Sequence, residues 1–236
     1  MATRNNILAR EIEKLKQHIL LIGGLVETAL RRAAEAVRER DVEKAKEVIE
    51  ADREIDHHEV ELEEECLKVL ALHQPVAVDL RFIVAVIKIN NDLERVGDLA
   101  SAVADHAIFL AERPQIEFPF DFEDMINRVR DMLRTALDAL VKDSSSMAQT
   151  VRLADDEVDE IHHNTYIAAV DLIRKRPDDL ESIINTIGLS RRLERVADQA
   201  TNIAETVIYL EEGHIVRHMV PRKPTNGLNT AKPGPR

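Results

Sequence analysis

The chain has 236 residues, enough for one large domain or two small ones, and it is rich in Ala, Leu, Glu, Lys and Arg; with only 7 Gly, 8 Pro and 3% aromatics, a sheet-rich fold is disfavoured. A formal charge of −12 supplies no basic face for a general nucleic-acid binder, and the single cysteine, Cys66, excludes an intramolecular disulfide, which fits a reducing compartment. The first residues lack the apolar core of a signal peptide and no run approaches the roughly 18 apolar residues of a membrane span, so no transmembrane segment is expected and the expected compartment is the cytoplasm.

Helical periodicity runs from about Asn5 to Arg40, and Asp41 can cap a second helix that continues to about Leu72. Pro75 is expected to open a third helix, which fades at "ERPQ" (112–115). After the connector "PQIEFPFDF", a fourth begins at Asp121 or Phe122 and ends near Asp143. The serines at 144–146 can cap a fifth, and Pro177 is expected to start a sixth that Gly213 stops. The glycines in "LLIGGLV" (20–26) lie inside an apolar helical run and read as close packing or a kink, not as a phosphate loop.

The two halves align with one another. Residues 93–112 and 193–212 share ten identities in twenty, including "LERVGDLA" (93–100) against "LERVADQA" (193–200). Asp79-Leu80 lies opposite Asp179-Leu180 at the same offset, and "DREID" (52–56) lies opposite "DDEVD" (155–159) three residues further out of step. The pattern is a tandem duplication of a three-helix unit. The expected architecture is all-α, with two three-helix bundles at 1–116 and 117–215 and a tail, 216–236, too polar to fold on its own.

On a helical wheel at about 100° per residue, Asp98 falls about 40° from Glu94, on the stripe occupied by Ile83, Ile87, Ile108 and Phe109. Glu194 and Asp198 repeat this with Ile183, Ile187, Ile208 and Tyr209. Asp52 and Asp56 share a face with Val48, Ile49, Cys66 and Leu70, and Asp155 and Asp159 do the same in the fifth helix. Acids four apart stack on one helical face, so each half would point two pairs at one seam. Leaving four such charges buried and unpaired costs several kcal/mol each, as much as a whole domain's stability.

Three readings answer that cost. Salt bridges to Arg81, Arg95, Arg191 and Arg195, or plain solvation, would neutralise the acids without a ligand. A cation would do so directly, and a carboxylate-rich site suits hard ions such as Fe(III), Mn(II) or Mg(II), with Asn91, Ser101, Thr201 and Asn202 as accessory donors and His162 on the same face. A carboxylate-bridged di-iron enzyme or metal store would use Glu-x-x-His pairs, but Glu54–His57 faces away from the acid stripe and Glu160–His163 only partly shares it. No other catalytic constellation is present, so the non-enzymatic reading leads.

The segments "HQPVAVDLRFIVAVIKINNDLERVGDLA" (73–100) and "RRLERVADQATNIAETVIYLEEG" (191–213) resemble the two signature segments of the PhoU family of phosphate-transport accessory proteins, and the resemblance extends to about Gly213. It implies a metal site in each half, carried over to Asp52, Asp56, Glu94 and Asp98 and to Asp155, Asp159, Glu194 and Asp198. It further implies repression of the phosphate-starvation regulon, a homodimer, and an adaptor role between a phosphate ABC transporter ATPase and a sensor histidine kinase, with room for peripheral attachment at the inner face of the membrane. Two departures stand out: Gln199, where family members often carry His, and Ala102, where the second copy has Asn202.

Overall fold

The computed structural model describes residues 2–216, with side chains from residue 7 onward. Six long α-helices follow in order: α1 (Ala2–Glu39), α2 (Val42–His73), α3 (Ala77–Ala111), α4 (Phe122–Val141), α5 (Ser145–Lys175) and α6 (Leu180–Glu212). Among the described residues there is no strand, so the all-α expectation is met. The expectation for the tail falls outside the described residues except at Val216, which is buried.

Capping chemistry sets the helix starts. Asp41, Asp121 and Ser144 stand in extended backbone, and their side chains accept from the amides of Lys44, Asp124 and Met147, three residues on. Gly213, at φ 75°, closes α6 in the left-handed conformation that costs glycine nothing. Two starts differ from expectation. Pro75 lies ahead of α3, whose cap is Val76, and Pro177 opens a short 3-10 turn, Pro177–Asp179, before α6 proper. Both prolines end the preceding turn, leaving the long helix to begin where amides can bond.

Burial explains the layering. The buried positions of α2 form one stripe, Val48, Ile55, Leu62, Cys66 and Val69, as expected for a helix covered on one side. On α3 buried residues come in consecutive pairs, such as Val96 with Gly97 and Val103 with Ala104, because this helix is covered on two sides. It packs against α1 and α2 within its own half and also against α6, while α6 likewise takes α4 and α5. The two three-helix bundles also share one continuous core, which runs from Leu15 through Leu93 and Leu193 to Val216.

Polar contacts fix the register between α3 and α6. Arg81 donates to the Leu210 carbonyl at 3.3 Å, and His106 Nδ1 lies 3.0 Å from Asn185 Oδ1. These pairs make the two helices antiparallel and set the octets 93–100 and 193–200 at one level on the central pair. Gly23, inside α1, is a close-packing residue: an added Cβ would meet the Leu137 methyl groups at 3.0 Å.

Leu93 and Leu193 open the two octets and are fully buried. Leu93→Ala should cost about 2–5 kcal/mol, and since the core is continuous, calorimetry should show one unfolding transition at lower temperature. Separate melting of the first half would contradict a shared core.

Candidate metal centre

The structure brings each acidic quartet together. Asp52 feels the charges of Asp56 and Asp98, and Glu94 those of Asp98, Glu59 and Asp56, so the α2 and α3 pairs share one groove. In the second half Asp155 feels Asp159 and Asp198, and Glu194 feels Asp198 and Asp159. The groove is not part of the core, as the wheel alone suggested. Asp56, Asp98, Asp159 and Asp198 are exposed, while Asp52, Glu94, Asp155 and Glu194 are half-buried. The apolar stripe sinks into the core at Ile83, Cys66 and Ile183 and reaches the rim where the acids stand, which lets water carry part of the charge.

Burial, reinforced by neighbouring carboxylates, pushes the Asp52, Glu94, Glu194 and Asp198 carboxyls above their ordinary range. Asp155 goes furthest, to about 6, first through burial and then through repulsion from Asp159 and Asp198. Arginines do not relieve this by contact: among the described residues, none of the eight acids forms an ion pair within 4.0 Å of an arginine or lysine. Arg95, Arg191 and Arg195 act only at a distance, and Arg81 is engaged with Leu210 and Tyr209.

At the floor of each groove lies a hydroxyl in the same place of the repeat. Ser101 stands beside Asp52 and Thr201 beside Asp155, and each partly holds its carboxyl down. Neither reaches good hydrogen-bond geometry, so Ser101 Oγ, Thr201 Oγ1 and Asp155 Oδ1 are buried polar atoms without a partner. Such a set of carboxylate and hydroxyl oxygens, with no cationic side chain in contact, fits a hard cation bound by oxygens. The grooves are open: among the described residues, no three ligand atoms of a quartet lie within 4.8 Å of one another.

The remaining candidates fall outside the grooves or on their edge. His162 is half-buried and engaged with Ser190, its Nδ1 2.9 Å from Oγ, and burial lowers its pKa. Asn91 is exposed and donates back to the Ile87 carbonyl. Glu54, His57, Glu160 and His163 are exposed, and His57 pairs with Glu61 at 3.3 Å, so neither Glu-x-x-His pair faces a shared site. Gln199 is buried with its Oε1 unpartnered.

One contributor was not legible as such in the sequence. A Cβ at Gly97 would lie 2.9 Å from Asp52 Oδ1 and 3.2 Å from two carbons of Ile55, so the glycine is what allows α2 to approach α3 at the acid pair. The second octet carries Ala197 there, and the difference between "LERVGDLA" and "LERVADQA" was the available signal.

The PhoU domain family model matches residues 19–107 and 122–207, one match for each three-helix repeat. The chain belongs to the PhoU family. It is 37% identical over 210 residues to a phosphate-specific transport system accessory protein PhoU homolog of Pseudomonas putida, covering 89% of this chain and 82% of that one. It is 36% identical to the Aquifex aeolicus homolog, covering 89% and 96% of the two chains. The crystal structure of PhoU from Pseudomonas aeruginosa superposes with a TM-score of 0.83 at 37% identity, covering 87% of this chain and 99% of that one. The phosphate transport system regulatory protein PhoU from Streptococcus pneumoniae gives 0.79 at 28% identity, covering 89% and 99%. These relatives are named as accessory and regulatory proteins, not as enzymes, in line with the non-catalytic reading.

Two outcomes are expected from this geometry. Gly97→Ala should destabilise the protein by about 1–3 kcal/mol through overpacking and weaken cation binding in the first groove by displacing Asp52, as read by denaturant unfolding and metal titration. Asp155 binds its proton more tightly when folded than the usual 3.8 of an unfolded aspartate, so its penalty on the metal-free protein grows as pH rises from about 4 through about 6. Asp155→Asn should therefore stabilise the metal-free protein at pH 7 by on the order of 1 kcal/mol in this water-screened groove, read as a higher melting temperature, and leave it little changed at pH 4. An equal gain at both pH values would rule out the charge as its source.

Proposed function

We propose that the chain is a regulator of phosphate uptake and a negative regulator of the phosphate-starvation regulon, acting without turnover as a metal-binding adaptor. In this reading each quartet holds a hard ion, Fe, Mn or Mg, through Asp52, Asp56, Glu94 and Asp98 or Asp155, Asp159, Glu194 and Asp198. The observation that carries it is the recurrence, in both repeats, of an open carboxylate groove floored by a buried hydroxyl without a partner. The phosphate-transport role follows the names borne by the relatives.

The adaptor would link a phosphate ABC transporter ATPase to a sensor histidine kinase, favouring the kinase's non-phosphorylating state, and would act as a homodimer. No helix among the described residues is long and apolar enough to cross a membrane, so attachment to membrane partners would be peripheral. Long helices with exposed apolar side chains suit that task. Leu80 and Leu180, equivalent in the two repeats, are exposed at 41% and 43%, as are Leu72, Val76 and Ile184 nearby in sequence.

Elemental analysis of purified protein should find Fe, Mn or Mg that falls by about half in a Glu94→Ala/Asp98→Ala variant, one of the two quartets being lost; unchanged content would refute the site assignment. Deletion of the gene should derepress phosphate-uptake genes under ample phosphate, and restoration by the wild type but not by the doubly disabled quartets would tie repression to the metal. Normal repression in the deletion strain would count against the regulatory reading itself.

A further inference from the structure

Away from both grooves, α1 and α2 carry a cluster of a different chemical kind. Taking Asp52 as zero on the α2 wheel, His58, Glu61 and Glu65 fall at about 240°, 180° and 220°, on the side opposite the acid pair. There they meet His18 of α1. His18 Nε2 lies 3.2 Å from His58 Nδ1, and His58 Nδ1 lies 3.3 Å from Glu61 Oε2. Ligand atoms of His18, His58 and Glu61 all lie within 4.8 Å of one another. The imidazoles are largely covered, with side chains 14% and 22% exposed, while Glu61 and Glu65 stand at the rim.

Two features suit this cluster to an ion. Its spacing, which a hydrogen-bonded network shares, also matches a coordination shell, since four ligands at about 2.05 Å around a tetrahedral ion stand about 3.3 Å apart. The second feature is the other nitrogen of His18. Nδ1 lies 3.0 Å from Glu65 Oε2, and a carboxylate accepts but does not donate, so that hydrogen bond places the proton on Nδ1 and leaves the Nε2 lone pair directed at His58. A carboxylate that fixes the tautomer of a histidine from behind is the usual outer support of a metal-bound imidazole.

We infer that His18, His58 and Glu61 form a binding site for a divalent first-row transition ion of the Zn(II) kind, with Glu65 as the positioning residue behind His18. Imidazole donors select such ions, in contrast to the all-oxygen grooves, and the fourth position opens to solvent. Bound there, the ion joins α1 to α2 and stabilises the folded chain by mass action. The site stands independently of the proposed quartets, so either can fail alone.

Zn(II) competition with a chromophoric chelator tests this on three proteins: the wild type, His18→Gln/His58→Gln, and the combined variant Glu94→Ala/Asp98→Ala/Glu194→Ala/Asp198→Ala. The histidine variant should lose a Zn(II) site, with affinity down by more than the roughly 10–100-fold that loss of an outer support costs, while the quartet variant keeps it. Glu65→Gln should weaken it by about 10–100-fold. X-ray absorption of the Zn(II)-loaded quartet variant should show scattering from two imidazoles, a reading that needs no histidine substitution. Equal Zn(II) affinity in the histidine variant, loss of all Zn(II) binding in the quartet variant, or an absorption spectrum without imidazole overturns the assignment.

Discussion

Like charges set the constraints on this molecule. Four carboxylates can share a groove only if something limits their desolvation, and the bundle does so by raising each quartet to the margin of its core. The apolar parts of α2, α3, α5 and α6 are deeply buried above and below the acids, while Asp56, Asp98, Asp159 and Asp198 open to water. The residual strain appears as proton affinities displaced upward, most at Asp155. A cation would remove that strain in both halves at once, which makes the helix geometry and the inferred chemistry parts of one account.

The grooves are held at their spacing by the α3–α6 pair. Because both octets lie on these central helices, and the helices run antiparallel with Arg81 at Leu210 and His106 at Asn185, the two sites sit on one rigid element. Anything that shifts α3 against α6 must move one quartet relative to the other. Hydrophobic continuity from Leu15 to Val216 makes that shift costly, so the halves are joined mechanically as well as by descent.

Much of this was legible in the residues. Helix starts at Asp41, Asp121 and Ser144 follow from side chains that reach their own third amide, a purely local interaction. The quartets emerged because helical periodicity places acids four apart on one face and the duplication repeats the placement. What periodicity cannot supply is the neighbour. A wheel puts Asp52 on the apolar stripe but does not say where the stripe surfaces, so its acids looked more deeply buried than they are. The approach of α2 at Gly97, the register of α3 on α6 and the meeting of His18 with His58 are all contacts between helices, set by packing over tens of residues.

The two grooves also differ in ways that bear on how each would compete with protons. Glu59 and Asn90 of the first repeat are replaced by His162 and Ser190 in the second, exchanging an anionic oxygen at the edge for a ring nitrogen that burial keeps neutral. Asp105, which is exposed, becomes Glu205, which pairs with the buried Arg152 at 3.4 Å just beyond the second quartet. These exchanges lower the negative charge around the second groove, yet Asp155 is the acid raised to about 6, because burial is its largest cause and, with repulsion from Asp159 and Asp198, outweighs the lowering by Thr201. A cation in the second groove must displace a proton that is already partly bound just below neutral pH. A cation held there would therefore be lost earlier on acidification than one held in the first groove.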